Sequence, residues 1–203
     1  IIVVGKVCRL ADEFGWYEKL PLAGWKVLVT RPKGRSSRTA EELRRMGAEV
    51  LELPSIRTVP LEDQSTLVHA FEEISSYQWI VFTSGNGVEL FFALLREQGI
   101  DLRRLMQVKF AVIGRKTAEV LLRYGFRSDF VPEQFSGADL AAEWIPTLKP
   151  DEKVALFRAE NGSRVLTEAL AAAGISYDDI GLYETWTDLR RQEELNRVIS
   201  EVD

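Results

Sequence analysis

The chain has 203 residues, 46% of them hydrophobic and 28% charged, and its 26 Lys+Arg against 31 Asp+Glu give a net charge of −5. This composition excludes a disordered or membrane-embedded chain, and the acidic balance excludes bulk attraction to nucleic acid or anionic membrane as its main business. A single Cys and a single His exclude a disulfide framework and a Cys/His zinc site and predict a reducing, cytoplasmic location, and neither a membrane span nor a secretory signal is expected.

In chain order, Ile1-Ile2-Val3-Val4-Gly5 reads as a short buried strand, followed by a polar stretch with Trp16 and Tyr17 that is too small to fold alone. Five apolar runs then recur, Lys26 to Thr30, Glu49 to Leu53, Trp79 to Thr83, Lys109 to Ile113 and Val154 to Arg158, each leading into a helix-period segment. That alternation predicts a parallel α/β sheet. Gly47, Gly99, Gly125 and Gly174 fall where helix ends need positive φ. Val88, Phe91, Phe92 and Leu95 share one helical face and are assigned to the core. Ser136 and Asp139 form a capping box, and Pro146 and Pro150 bracket the end of the helix it opens.

Leu53 to Glu62 and Gly181 to Asp188 break the alternation. The first is bracketed by Pro54 and Pro60; the second alternates like a β-ribbon before a helical pattern from Leu189 to Val202. They read as two crossings between domains. The first strand-helix-strand unit then joins the last segment of the chain in one discontinuous domain, with an uninterrupted second domain between.

Ligands of open parallel sheets bind at the strand carboxyl ends, where helices present unpaired N–H groups. The tails here are Thr30-Arg31-Pro32, Thr83-Ser84-Gly85-Asn86-Gly87, Gly114-Arg115-Lys116-Thr117 and Arg158-Ala159-Glu160-Asn161-Gly162-Ser163, with Arg35, Arg38 and Arg164 nearby. Backbone amides, helix dipoles and cations together point to a polyanion. None of the tails is a Walker A or dinucleotide fingerprint. Each reads equally as a turn and helix cap, Thr117 as a first-turn residue, and Arg115 and Lys116 as solvated cations. His69 reads as a surface or boundary residue, and Cys8 as a residue without a chemical role. Tyr183, at the second crossing, is placed to donate a proton in a cleft or is simply an aromatic of a β-ribbon. The residues leave open a cofactor-free enzyme or a non-catalytic two-lobed α/β polyanion-binding or regulatory module.

Lys26-Val27-Leu28-Val29-Thr30-Arg31-Pro32, Tyr77 to Val88, Ala111-Val112-Ile113-Gly114 with Thr117-Ala118, and Leu182-Tyr183-Glu184-Thr185 together resemble the uroporphyrinogen-III synthase family, from about Gly24 onward. Ile2 to Val7 with Trp16-Tyr17-Glu18 and Pro21-Leu22 are similar to the C-terminus of uroporphyrinogen-III C-methyltransferase, as in a bifunctional fusion. The resemblance implies two parallel-sheet α/β domains joined by a two-stranded β linker: residues 1–22 as methyltransferase remnant and linker, 23–58 plus 184–203 as a truncated first domain, and 59–183 as the second.

It further implies dehydration, ring D inversion and cyclisation of hydroxymethylbilane to uroporphyrinogen III, without cofactor or metal. The substrate would come by hand-over from hydroxymethylbilane synthase to a monomeric synthase part, without nucleic acid or membrane as partner. By the same resemblance Tyr183 assists hydroxyl loss and Thr117 lies in a cleft-facing segment, while Thr83, Ser84, Gly85 and Asn86 face the substrate. Arg31, Gly114, Arg115, Lys116, Asn161, Gly162 and Ser163 complete the expected substrate contacts. Family members continue beyond the point where this chain ends, so the chain by itself is expected to lack one wall of the cleft and to be inactive.

Overall fold

A computed structural model of the chain describes residues 5–6, 15–30, 36–187 and 192–199. The expected first strand, Cys8, Arg31 and Arg35 lie outside the described residues, as do the two ends of the helical pattern from Leu189 to Val202. The chain divides into two compact units, Ile1–Arg57 with Trp186–Asp203, and Thr58–Thr185.

In the first unit, β1 (Lys26–Val29), α1 (Ser36–Arg45) and β2 (Glu49–Glu52) form a parallel strand-helix-strand unit with Lys26 opposite Glu49 and Val29 opposite Glu52. The helix stops at Gly47, whose φ of 98° suits glycine. A Cβ there would also lie 2.8 Å from the Leu20 Cβ. The segment before β1 docks on the same turn: the Tyr17 hydroxyl donates to the Gly47 carbonyl (2.9 Å) and the Leu22 N–H to the Met46 carbonyl (2.8 Å).

The second unit is built from β3 (Ile56–Pro60), α2 (Ser65–Glu72), β4 (Trp79–Phe82), α3 (Gly85–Glu97), β5 (Lys109–Val112), α4 (Arg115–Arg123), α5 (Gly137–Trp144), β6 (Lys153–Ala159), α6 (Val165–Ala172) and β7 (Ser176–Thr187), the first two residues of β3 and the last two of β7 being assigned to the first unit. Helix α7 (Gln192–Ile199) follows in the first unit. The sheet order is β3-β7-β6-β4-β5, with β4 parallel to β5 and β6, and β6 parallel to β7. Strands covered on both faces read as continuous apolar runs, which is why four residues of β4 are all buried.

Alternate side chains feed two cores. Ile80, Phe82, Phe110, Phe157 and Ile180 meet Phe71 of α2, Phe91 of α3 and Leu121 of α4 on one face. Trp79, Val81, Val154 and Leu156 meet Leu140 and Trp144 of α5 and Leu166 and Leu170 of α6 on the other. The expected stripe Val88, Phe91, Phe92 and Leu95 is buried. Gly99, Gly125 and Gly174 all have positive φ after their helices, and the Ser136 side chain accepts from the Asp139 N–H as a cap.

One strand is longer than the sequence suggested. A ribbon beginning near Gly181 was expected, yet β7 starts at Ser176 and pairs with β6 from Lys153 opposite Ser176 onward. The added stretch carries two acids, Asp178 and Asp179. Both acids are neutralised in the fold: Asp178 accepts from the Tyr77 hydroxyl (2.6 Å) and pairs with Lys153 (2.9 Å), and Asp179 pairs with Arg158.

Candidate functional site

Because β6, β4 and β5 are parallel neighbours, the turns that leave their carboxyl ends lie side by side. At the end of β4, Ser84 takes an extended conformation and caps α3, its Oγ accepting the Gly87 N–H at 2.9 Å. Gly87 packs closely here: a Cβ would lie 3.3 Å from Ser84 Oγ and 3.6 Å from the Phe157 carbonyl. Gly85 and Asn86 are the first two residues of α3, so their N–H groups have no carbonyl within the helix to bond. Thr83 and Asn86 are half-buried, and their side chains form no hydrogen bond with a described residue.

At the end of β5, Gly114 precedes α4 in extended backbone, and the N–H of Thr117 turns back to its carbonyl at 3.0 Å. Arg115 and Lys116 supply the first two N–H groups of that helix. The Phe135 side chain lies against Gly114, where a Cβ would approach it to 3.0 Å, and the Arg115 guanidinium sits 5.6 Å from the Phe135 ring centre. Thr117 is 5% exposed, buried with Val120 and Leu121 in α4.

The turn after β6 is tied into the structure. Asn161 Nδ2 donates to the Thr185 carbonyl at 2.8 Å, and its Oδ1 accepts the Thr185 N–H at 3.3 Å, so this side chain continues the ladder where the strand has ended. The Gly162 N–H donates to the Ala159 carbonyl (3.0 Å), and Ser163 Oγ accepts the Val165 N–H (3.4 Å). Arg158 is likewise committed: its Nε and Nη2 reach the two Asp179 carboxylate oxygens at 2.7 Å each. The hydrogen bonds it donates to Asp179 outweigh burial and raise the Arg158 pKa further. The cations at these helix starts that stay exposed are Arg115, Lys116 and Arg164.

Tyr183 reaches this end of the sheet through an irregularity in β7. Arg158 faces Gly181 and Ala159 faces Tyr183, so Leu182 is an extra residue with no partner in β6. Regular alternation sends neighbours to opposite faces; the bulge lets Leu182 and Tyr183 both enter the core shared with Phe157 and Phe82. The Glu160 N–H donates to the Tyr183 carbonyl at 2.8 Å and fixes the backbone there. Tyr183 is 6% exposed, and its hydroxyl lies 2.9 Å from Ser84 Oγ, across the breadth of β6.

Sequence reasoning did not single out Arg127. It lines a cavity of about 710 Å³ along α4 with Arg115, Ala118, Leu122, Val131 and Glu133. Neither guanidinium has a carboxylate partner among the described residues. No periodic signal marks Arg127, which lies in the irregular stretch after α4. Among the described residues no helix is long and apolar enough to cross a membrane.

A family model described as uroporphyrinogen-III synthase HemD matches residues 37–203. A porphyrin biosynthesis protein HemD of Ruminiclostridium josui is 42% identical over 185 residues, covering 91% of this chain and 37% of that protein. A uroporphyrinogen-III C-methyltransferase of Bacillus subtilis is 29% identical over 126 residues, 62% of this chain and 25% of that protein. The chain therefore spans well under half the length of these two relatives. A crystal structure of a mutant uroporphyrinogen III synthase from the extreme thermophile Thermus thermophilus has a TM-score of 0.64 at 20% identity, over 86% of this chain and 69% of that one. The two-domain α/β fold expected from the sequence is thus shared with that protein.

Proposed function

This chain belongs to the uroporphyrinogen-III synthase family, and from that premise we propose that it serves the conversion of hydroxymethylbilane to uroporphyrinogen III. Loss of the terminal hydroxyl as water leaves an electrophilic carbon, ring D inverts, and the macrocycle closes. The carrying observation is the arrangement at the carboxyl end of the second unit's sheet. A buried tyrosine there presents its hydroxyl to Ser84 at the N-terminus of α3, and the N-terminus of α4 follows the adjacent strand; the first amides of both helices are unpaired within the helix. Those amides, with Arg115 and Lys116, suit a substrate carrying eight carboxylates. Tyr183 is the proton donor to the departing hydroxyl, and Thr83, Gly85, Asn86 and Gly114 are substrate contacts in the same reading.

The finer assignments belong with it. Residues 59–183 form the second synthase domain and residues 23–58 with 184–203 the first, a reading supported by the division of the chain near Arg57 and Thr185. In the same reading residues 1–22 are the end of a methyltransferase fused ahead of the synthase; a C-methyltransferase aligns with 126 residues of the chain. The synthase part acts as a monomer in the cytoplasm and receives its substrate from hydroxymethylbilane synthase.

The test supplies the full-length protein with hydroxymethylbilane generated in situ and separates the products by isomer. Isomer III is expected; isomer I alone overturns the proposal. Tyr183→Phe is expected to slow turnover about tenfold or more, and an unchanged rate removes the donor role.

A further inference from the structure

The hydroxyl that touches Tyr183 is that of Ser84, and its hydrogen bonds can be counted. A serine hydroxyl has one proton and two lone pairs. One lone pair of Ser84 Oγ is occupied by the Gly87 N–H at 2.9 Å. What remains faces Tyr183 Oη at 2.9 Å, where either oxygen is able to donate. If the tyrosine donates, its proton is held by Ser84 and is not available to a ligand. If the serine donates, the phenol proton points elsewhere, and the oxygen left after proton transfer keeps a donor.

Two features favour the second arrangement as charge develops. The N–H bond accepted by Ser84 polarises its O–H and strengthens it as a donor. Ser84 also caps a thirteen-residue helix, Gly85–Glu97, whose N-terminal partial positive charge stabilises negative charge nearby. The bulge at Leu182 is what brings the phenol to this spot.

We propose that Ser84 is a positioning residue for Tyr183 and not a substrate ligand: it donates to Tyr183 Oη, directs the phenol proton to the departing group, and stabilises the phenolate. The inference rests on the donor role given to Tyr183 above. In the step itself the Tyr183 O–H bond breaks and its proton joins the substrate hydroxyl. The C–O bond then breaks with its electron pair leaving on water, and the phenolate stays hydrogen-bonded to Ser84. The proton is recovered from the pyrrole carbon that loses hydrogen when its ring regains aromaticity after closure.

The experiment compares Ser84→Gly, Ser84→Thr, Tyr183→Phe and the Ser84→Gly/Tyr183→Phe double variant in the full-length protein. Glycine caps helices nearly as well as serine, and threonine keeps the hydroxyl. Ser84→Gly is expected to lower kcat about tenfold with KM changed less than about twofold, and to add nothing further in the Tyr183→Phe background. Ser84→Thr is expected to restore most of kcat.

A Raman measurement reads the pair without turnover. The tyrosine doublet of Tyr183, isolated by subtracting the Tyr183→Phe spectrum, is expected to report an accepting phenol in the wild type and to shift in Ser84→Gly. A rise in KM at unchanged kcat makes Ser84 a substrate ligand and overturns the proposal. Additive losses in the double variant or an unmoved doublet also overturn it. Wild-type turnover by Tyr183→Phe instead removes the donor reading itself, an outcome the doublet tells apart from failure of the Ser84 contact.

Discussion

Removing Asp179 should cost the protein more than removing its partner Arg158, although both substitutions break the same pair. The Arg158 side chain is 7% exposed and that of Asp179 is 34% exposed. Asp179→Ala strands a buried guanidinium whose remaining acceptors are the Ala159 carbonyl at 3.0 Å and the Glu160 carbonyl at 3.4 Å. An uncompensated buried charge of this kind costs about 3–5 kcal/mol, and the two carbonyls place this case near the lower end, about 3 kcal/mol. Arg158→Met leaves a carboxylate that water already reaches and fills the space of the arginine stem, for roughly 1–2 kcal/mol. Urea unfolding of both variants at neutral pH, with the slope m held equal, reads the difference as a displacement of the midpoint. The reasoning fails if Arg158→Met is as destabilising as Asp179→Ala. Because Arg158 also grips the carbonyls beside the bulge, the Asp179 variant should lose turnover in step with the seating of Tyr183.

Two further outcomes test the core and the acid response. Phe91 is fully buried, with ring centres of Phe82 at 5.1 Å and Phe157 at 4.7 Å; Phe91→Ala should cost about 3–5 kcal/mol and lower Tm by roughly 10 °C. A calorimetric shift of only a degree or two would contradict that packing. Burial pushes the Asp178 carboxyl up, but the bonds from Tyr77 and Lys153 outweigh it and hold it below its ordinary 3.8. The stability it contributes is complete above the unfolded-state value and lost as pH falls through the lower folded value. Asp178→Asn should therefore be less stable than wild type at neutral pH, and the two should converge below about pH 4. Midpoints that stay parallel through acid would show that the pair contributes nothing.

What could be read from the chain divides along physical lines. Runs such as Trp79-Ile80-Val81-Phe82 announce themselves because both faces of a parallel strand are covered, and Gly99 and Gly174 stop helices by a conformation other residues avoid. The first half of β7 does not announce itself, since the partners that make Asp178 and Asp179 tolerable lie 101 and 21 positions away in Tyr77 and Arg158. The same limit applies at the candidate site. Residue types at strand ends indicated an anion-binding surface, but type alone does not disclose that Asn161 is tied to Thr185 or that Arg158 is spent on Asp179. The bulge at Leu182, which turns Tyr183 into the core, leaves no mark on local composition.

The first amides of α3 and α4 come from Gly85, Asn86, Arg115 and Lys116, but any residue other than proline supplies the same donor. Side-chain scanning is therefore blind to these amides: an alanine at Asn86 or Lys116 removes the side chain and leaves its N–H in place. Tolerance of such substitutions should not be taken as indifference of the site. The informative perturbation there is to the peptide bond itself, as when an ester replaces a single amide and removes one donor while leaving every side chain where it was.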